Sequence, residues 1–265
     1  MKIILTLFIL ILVITGAVFL FTFTQIRRML SRADKGELPG NMDFSTKDKD
    51  ALETAVTEGT AYLERLTCRD LYTESCDGLE LHGLYYPAKQ ESLKFVLGIH
   101  GFKSNPVRTF GPFAEFYHNN GYNLVLADNR GHGRSGGHFL GSAVTDRFDI
   151  VSWAEYITDT FGSRAEILLH GVSMGGAAVL SAAGEASLPE TVKGVISDCG
   201  FTSMYEQVRR HIKRNLHLPS FPALQFSELS CRIIAGYSLK EVTPLKQIQK
   251  TSLPVLFVHE TNSKE

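Results

Sequence analysis

The chain has 265 residues, a hydrophobic content of 44%, and 27 basic against 28 acidic side chains, which gives a formal net charge of −1. This length and composition are sufficient for one sizeable hydrophobic core. The near-neutral charge provides no basic surplus, so we expect no nucleic-acid partner.

The first segment has the composition of a membrane-spanning helix. No charged residue occurs from Ile3 to Thr24, and about 21 residues at about 1.5 Å each form a helix of about 32 Å, long enough to cross a bilayer core. A cleaved signal peptide is the alternative. The apolar run is longer than a usual signal core and no A-x-A-like cleavage site follows it. We therefore predict a single-pass cell-membrane anchor over residues 1–26.

Charge around this helix predicts its orientation. The positive side chains after it outnumber Lys2 and the terminal amine in front of it: Arg27, Arg28, Arg32 and Lys35. By the positive-inside rule the rest of the chain would lie on the cytoplasmic face. Residues 27–46 are charged and rich in turn-forming residues, and we interpret them as a linker.

The remainder, residues 47–265, predicts a single α/β domain. A helix is expected from about Lys47 to Leu66, followed by a hairpin of strands near 71–75 and 79–86 that turns at "CDG". Apolar strand cores then alternate with longer segments, at 95–100, 123–128, 166–171, 194–199 and 254–259. This spacing is typical of βαβ units in a mostly parallel sheet, in which ligands gather at the carboxyl ends of the strands.

One strand end carries a nucleophile motif. The residues Gly171-Val172-Ser173-Met174-Gly175 follow the strand "EILL" directly and lead into an alanine-rich helix. This is the G-x-S-x-G elbow, in which a strained turn raises the serine above the sheet. The same turn directs the N–H of Met174 toward an oxyanion that forms beside Ser173. A chance G-x-S-x-G in a glycine-rich loop is the alternative, and the flanking strand and helix argue against it.

A second strand end supplies the complementary loop. The strand 95–100 ends at His100-Gly101, and the N–H of Phe102 is in position to be the other oxyanion donor. His100 itself could be a catalytic base. A histidine that ends a core strand is more often a structural hydrogen-bonding group, and we favour that interpretation.

The third strand end contains G-x-G-x-x-G at Gly131, Gly133 and Gly136, which raises the alternative of a dinucleotide site. That fingerprint requires a helix to start at once and an acidic residue at the end of the next strand. Here "HFLGSAVTD" intervenes, and Asp149 lies inside the amphipathic "RFDIVSWAEYI". We reject the cofactor interpretation and expect neither a cofactor nor a metal.

Four motifs, "HGFKSN", "DNRGHGRSGG", "HGVSMGG" and "DCGFTS", occur in this order. Together they resemble the α/β-hydrolase superfamily, in particular membrane-anchored bacterial hydrolases similar to serine aminopeptidases and monoacylglycerol lipases. The resemblance covers roughly residues 70–259. It implies Ser173 as nucleophile, Phe102 and Met174 as oxyanion donors, and Asp128 and Arg130 as a structural loop pair.

The resemblance also identifies an omission. In this family the strand that matches "PVLFVH" continues as H-G-x-x-D with the triad acid, and a further strand and helix deliver the triad histidine. This chain reads "HETNSKE" instead, so we expect it to be a clipped version that lacks both. General-base assistance is worth about 10²–10⁴-fold, and its loss would leave Ser173 a weak nucleophile. Asp198, at the next strand end, is an alternative acid position but cannot replace a histidine.

The segment between about 201 and 242 is expected to form a small cap. Its His211 and His217 are candidate bases, although "RRHIKR" is better explained as a solvated helix face. Five apolar residues lie close together in it and would either line an acyl pocket or pack the cap onto the core: Leu216, Leu218, Phe221, Leu224 and Phe226.

Three hypotheses remain open. The chain is a membrane-anchored serine hydrolase of carboxylic esters that takes a small acyl substrate, a non-catalytic binding module that keeps the elbow, or the product of a disrupted gene. The acyl group, the leaving group and the oligomeric state cannot be read from the residues, because G-x-S-x-G serves esters, amides and thioesters alike.

Overall fold

The computed structural model describes residues 1–33 and 46–259. The elements follow in chain order: α1 Lys2–Leu30, α2 Thr46–Glu64, β1 Arg69–Glu74, β2 Glu80–Tyr86, β3 Lys94–Ile99, α3 Pro106–Asn119, β4 Asn123–Ala127, α4 Asp146–Phe161, β5 Glu166–Val172, α5 Met174–Ala182, β6 Val192–Asp198, α6 Met204–Arg214, α7 Ser220–Ala235, α8 Pro244–Gln247, a 3₁₀ turn Ile248–Lys250, and β7 Val255–Val258.

Seven strands form one sheet in the order β1-β2-β4-β3-β5-β6-β7. The β1–β2 hairpin and the β2–β4 pair are antiparallel, and every later pair is parallel. The predicted α/β architecture with a mostly parallel sheet is confirmed. Strands β3 to β6 are covered on both faces, which is why each reads as an almost continuous apolar run.

Helices cover the sheet on its two faces. On one face α4 and α5 pack against it around Trp153 and Ile150, both 1% exposed. On the other face α2 and α3 pack through Phe110. The two helices α2 and α3 cross closely at Gly59 and Gly111, because a Cβ added to Gly59 would lie 2.1 Å from the carbonyl carbon of Gly111.

Strand β7 forms one edge of the sheet. It pairs with β6 on one side, and none of the residues within 1–33 and 46–259 pairs with its other side. Leu256, Phe257 and Val258 are 55%, 60% and 45% exposed. The exposed apolar edge expected from the sequence is therefore present in the described part of the chain, and such an edge favours association with other strands.

The expected cap lies between β6 and α8. Helices α6 and α7 pack on one another, α7 packs along α1, and the three helices share a core of buried residues that includes Ile26 and Leu30 of α1. Helix α1 thus continues four residues beyond the expected anchor boundary at residue 26, and its last turns belong to the cap core. Of the predicted linker 27–46, most lies outside the described residues.

Candidate active site

Ser173 stands at a sharp turn between β5 and α5. Its backbone has φ 56° and ψ −113°, a left-handed conformation for a residue with a Cβ. Such a conformation costs about 1–3 kcal/mol and persists only where the surroundings enforce it. Here the Ser173 N–H donates to the carbonyl of Asp198 at 2.7 Å, and the N–H of Ala177 donates to the Ser173 carbonyl at 3.1 Å.

The glycines of the elbow are required by close backbone contacts. A Cβ on Gly171 would lie 2.1 Å from the carbonyl oxygen of Gly175, and a Cβ on Gly175 would lie 2.0 Å from that of Ile99. No side chain fits at those separations. The G-x-S-x-G spacing therefore follows from how tightly α5 turns back over β5 and β3.

Two backbone N–H groups flank the serine without partners. Among the described residues, the N–H groups of Phe102 and Met174 donate no hydrogen bond. Met174 is the first residue of α5, where the helix dipole is positive. Gly101 adjoins the serine, since a Cβ added to it would be 3.5 Å from the Ser173 Cβ. The structure thus places both sequence-predicted donors beside Ser173, an arrangement able to bind an oxyanion.

The hydroxyl of Ser173 is exposed, and in the described part of the chain it makes no hydrogen bond. All nine histidines lie within the described residues. Five of them are buried, each with at least one ring nitrogen hydrogen-bonded to a group other than Ser173: His82, His100, His118, His132 and His170.

His100 has the structural role expected for it. Its Nδ1 lies 2.8 Å from the Gly101 carbonyl, and its Nε2 accepts from the Asn129 N–H at 3.1 Å. Complete burial lowers the pKa of His100 to about 4, so the ring is neutral at pH 7. The ring therefore connects the loop after β3 with the loop after β4 through hydrogen bonds. The oxyanion loop at Phe102 begins directly after this connection.

The two cap histidines do not reach the serine. His211 is half-buried on α6, where burial lowers its pKa, and His217 is exposed in the α6–α7 connection. Neither forms a hydrogen bond to Ser173 among the described residues. The interpretation of "RRHIKR" as a helix face turned to the outside agrees with the exposure of Arg209, Arg210 and Lys213.

Asp198 lies next to the nucleophile, at the end of β6. Its Cα is paired with Val172, the residue before Ser173, and its side chain is half-exposed. The contact between Asp198 and Ser173 that the structure shows is made by main-chain atoms. The carboxylate has no histidine partner in the described part of the chain.

The loop after β4 is held by hydrogen bonds of Asp128 and by ion pairs of Arg130. The ring Nδ1 of His82 lies 2.7 Å from Asp128 Oδ2, and the same oxygen accepts from the Arg134 N–H at 3.0 Å. Arg130 donates from Nε to Asp149 at 2.7 Å and from Nη1 to Asp77 at 2.8 Å. The predicted structural role of Asp128 and Arg130 is confirmed by these contacts.

The end of α1 reaches the oxyanion loop, a contact that the sequence analysis missed. Lys103, next to Phe102, donates from Nζ to the carbonyl of Arg28 at 3.1 Å. Arg32 donates to the carbonyls of Gly133 and Ser135 at 2.5 and 2.7 Å. In the sequence, Arg28 and Arg32 indicate only how the helix is oriented in the membrane. No spacing in the sequence indicates which loops these residues contact.

Most of the apolar cap residues serve packing. Leu224 is buried in the cap core, Leu216 and Leu218 pack against it, and the Phe226 ring lies 5.4 Å from that of Phe19 in α1. Phe221 is different, because it is 75% exposed. Four of the five residues therefore pack in the cap core or against α1, and Phe221 is left uncovered.

Comparison with known proteins identifies the family of the chain. The family model for serine aminopeptidases of the S33 type matches residues 90–259. The uncharacterized protein YqkD of Bacillus subtilis (strain 168) is 29% identical over 185 residues, which are 70% of this chain and 60% of that protein. The chain thus spans less than two thirds of the length of this relative.

Solved structures show the same fold. The Pyrococcus furiosus esterase Pf2001 superposes with a TM-score of 0.58 at 19% identity, over 86% of this chain and 77% of that one. The α/β hydrolase GrgF from Penicillium sp. sh18 gives 0.56 at 18% identity, over 74% and 81%. An α/β hydrolase from Vibrio vulnificus gives 0.52 at 20% identity, over 87% and 80%.

The fold and the matched family are those of enzymes that hydrolyse ester or peptide bonds. The matched region begins just before β3 and ends just after β7, so it contains the elbow, the oxyanion loop and the cap. With this match over more than half of its length, the chain belongs to the serine aminopeptidase S33 family of α/β hydrolases.

Proposed function

We propose that the protein is a membrane-anchored serine hydrolase of carboxylic esters that works through an acyl-enzyme on Ser173. The observation that carries this proposal is the position of Ser173, on a strained turn beside two N–H groups that have no hydrogen-bond partner among the described residues. Protein folds rarely leave buried or half-buried N–H groups unpaired, so such a pair at a nucleophile is best explained by an anionic ligand or intermediate.

The chemistry assigned to these groups is acyl transfer. The Ser173 oxygen forms a bond to the ester carbonyl carbon while a base takes the hydroxyl proton, and the carbonyl oxygen becomes an oxyanion that accepts from Phe102 and Met174. The tetrahedral intermediate collapses, the bond to the leaving alkoxide breaks, and the alkoxide takes the proton. Water then repeats the attack on the acyl-enzyme and releases the carboxylic acid.

The general base of the triad is missing from the site: among the described residues, no histidine is hydrogen-bonded to Ser173. In the family, acid and histidine follow the strand that corresponds to β7, where the sequence here reads "HETNSKE". Within the described residues, the proposal assigns the nucleophile and the two oxyanion donors and leaves the base and its acid unassigned. Asp198 would be an auxiliary acid at most, because it ends β6, the strand beside the one that leads to Ser173.

The anchor is the second part of the proposal. Helix α1 is long and apolar enough to cross a membrane, and a signal sequence passes the same test. Retention of the helix is supported by the cap core, in which Ile26 and Leu30 are 4% and 0% exposed. Cleavage behind the apolar run would separate the helix from the core that it fills. The charge bias supports a cytoplasmic domain.

A fluorophosphonate probe tests the nucleophile. We expect the protein to be labelled at Ser173, and labelling to disappear in Ser173→Ala. Ser104→Ala, a change in the neighbouring loop whose hydroxyl bonds to Thr109 at 3.0 Å, is the matched control and should keep it. Absence of labelling in the parent protein at every probe concentration would contradict the assignment, as would equal labelling of Ser173→Ala.

A non-catalytic binding module is the second candidate, favoured by one observation. The Ser173 hydroxyl has no hydrogen-bonded base in the described part of the chain. If the 265-residue chain unfolds cooperatively, binds an ester analogue and resists the probe, this second function is supported. Hydrolysis of a p-nitrophenyl ester that depends on Ser173 would instead support the enzyme.

A further inference from the structure

Helix α7 of the cap lies along α1, the helix that we propose to be the membrane anchor, and α7 and α1 run in the same direction. Phe226, early in α7, contacts Phe19 of α1 at 5.4 Å between ring centroids. Tyr237, just after α7, donates to the carbonyl of Leu140 at 2.8 Å, and the Leu140 N–H donates to the carbonyl of Leu30 at 2.8 Å. The start of α7 therefore points toward the membrane end of α1.

The free part of α1 is too short to cross a bilayer by itself. Residues 2–17 are exposed, and contact with the cap begins at Val18. Sixteen residues at about 1.5 Å each give about 24 Å, whereas a hydrocarbon core is about 30 Å thick. The missing length of about 6 Å must come from the turns that touch the cap.

The residues in those turns are suited to hydrocarbon. The apolar run continues to Phe23, and the hydroxyl groups of Thr22 and Thr24 donate to helix carbonyls at 2.9 and 2.7 Å. Hydroxyls that are satisfied within the helix add little cost in lipid. The turns from Val18 to Phe23 can therefore lie in the bilayer, together with the part of the cap that packs on them.

The tip of the cap has an apolar, uncovered end. Phe221 lies near the start of α7, five residues before Phe226, and Leu216 and Leu218 lie in the connection that leads into this helix. Since α7 runs in the direction of α1, we place these three residues on the membrane side of Phe226. Phe221 is 75% exposed, and Leu216 and Leu218 are half-buried. A large exposed aromatic side chain next to a membrane-spanning helix is a characteristic of interfacial contact.

A group of cations leads into this tip. Four exposed positive side chains lie in the last six residues of α6: Arg209, Arg210, Lys213 and Arg214. The acidic side chain of this helix is Glu206, which pairs with Arg209 at 2.7 Å. A positive helix beside an apolar tip matches a bilayer surface that carries anionic headgroups.

We propose that the cap docks on the bilayer that α1 spans. The tip formed by Leu216, Leu218 and Phe221 enters the boundary of the acyl chains, and the cations of α6 face anionic headgroups. This inference rests on the proposed anchor. Its consequence is that the site around Ser173, which adjoins the end of α1 through Lys103 and Arg28, is held close to the lipid surface and receives ester substrates from the bilayer.

Tryptophan quenching by brominated lipid tests the docking. The full chain is placed in phosphatidylcholine vesicles with phosphatidylglycerol, and three variants are compared: Phe221→Trp in the tip, Leu10→Trp in α1, and Phe116→Trp on α3. Phe116 is the matched control because it is 66% exposed and lies on a helix of the domain far along the chain from the cap. Native Trp153, 1% exposed, gives a constant background.

We expect lipid brominated on its acyl chains to reduce the added fluorescence about twofold for Leu10→Trp and Phe221→Trp, since interfacial side chains reach about 5–10 Å into the boundary. Phe116→Trp should not be quenched. Quenching at residue 10 without quenching at residue 221 overturns the docking and leaves the anchor intact. No quenching at residue 10 overturns the anchor itself. Quenching at residue 116 as well would indicate general adsorption and also overturn the docking.

The charged face has a separate test. The four cations are changed to glutamine in the Phe221→Trp background, and quenching is measured with and without phosphatidylglycerol. We expect the quenching in anionic vesicles to fall to the level in neutral vesicles. If quenching depends on phosphatidylglycerol equally in both proteins, α6 is not the headgroup contact.

Discussion

The backbone nitrogen of Ser173 donates to the backbone oxygen of Asp198 across 2.7 Å, so the elbow is held in place by the end of the neighbouring strand. This main-chain hydrogen bond offsets the backbone strain at Ser173, and it does not depend on the side chain at position 198. The two residues share a position at the carboxyl ends of adjacent parallel strands, where α/β folds gather their ligands.

Because this contact uses main-chain atoms, Asp198→Asn removes the carboxylate without removing the hydrogen bond that holds the elbow. The variant therefore tests the chemical role of the side chain alone. We expect the variant to keep its thermal stability and to lose less than about tenfold in the rate of fluorophosphonate labelling, as full general-base assistance would be worth about 10²–10⁴-fold. A loss of about a hundredfold or more at unchanged stability would identify Asp198 as the working acid.

Gly175→Ala should destabilise the protein strongly. The added methyl group would meet the Ile99 carbonyl at 2.0 Å, and overpacking of this kind costs about 1–3 kcal/mol, which lowers Tm by several degrees. Gly121→Ala is the control, because Gly121 has φ +78° but open space around it, so it carries backbone strain of about 1 kcal/mol alone. Equal Tm values for the two variants would show that α5 moves away without cost.

Leu30→Ala should cost about 2–5 kcal/mol, as expected for a leucine removed from a packed core. Leu30 is fully buried in the cap core, although it lies in the predicted anchor helix. Leu12→Ala, at a position that is 55% exposed, should leave the unfolding of the domain unchanged. Thermal unfolding in detergent micelles measures both. A similar, small effect of the two changes would mean that α1 does not contribute to the domain.

Stability should fall in acid because of buried histidines. Burial lowers the pKa of His170 to about 4, below the unfolded value of about 6.5. The unfolded chain therefore binds a proton first as pH falls from about 6.5 toward 4, and the stabilisation present above pH 6.5 is lost through this window at up to about 1.4 kcal/mol per pH unit. Denaturant titrations at several pH values measure the slope.

His170→Asn provides the comparison for that slope. The ring Nδ1 of His170 lies 2.8 Å from the Tyr117 hydroxyl, and an asparagine oxygen can accept from the same group. We expect the variant to be less stable at pH 7 but to lose stability less steeply below pH 6.5. The slope should correspond to about one fewer proton taken up on unfolding. A slope identical to that of the parent protein would show that His170 does not contribute to the acid response.

The strands were the most predictable part of the molecule. The core "NLVLAD" was expected at 123–128 and forms β4 from Asn123 to Ala127, and "EILLHG" forms β5. Parallel strands buried on both faces leave an unmistakable apolar run. The elbow was predictable for a related reason, because only glycine fits beside the backbone at positions 171 and 175.

The role of α1 was not predictable from the sequence. A helix that is apolar on all sides has no periodic stripe to mark which face packs against protein. Ile26 and Leu30 are therefore indistinguishable by pattern from the lipid-facing residues before them, and their partners on α7 are some 200 residues away. The pairing of Lys103 with Arg28 is likewise set by tertiary structure alone.

The crossing of α2 and α3 at Gly59 and Gly111 has an evolutionary consequence. A methyl group on Gly59 would overlap the backbone of Gly111, and one on Gly111 would lie 3.0 Å from that of Gly59. Gly59 therefore cannot accept a side chain unless α2 moves relative to α3, whereas a methyl group on Gly111 requires the backbone of Gly59 to shift by only a few tenths of an ångström. Relatives that keep this helix in place are expected to retain glycine at the position of Gly59, so this residue can be used to recognise which members of the family carry an α2 docked in this way.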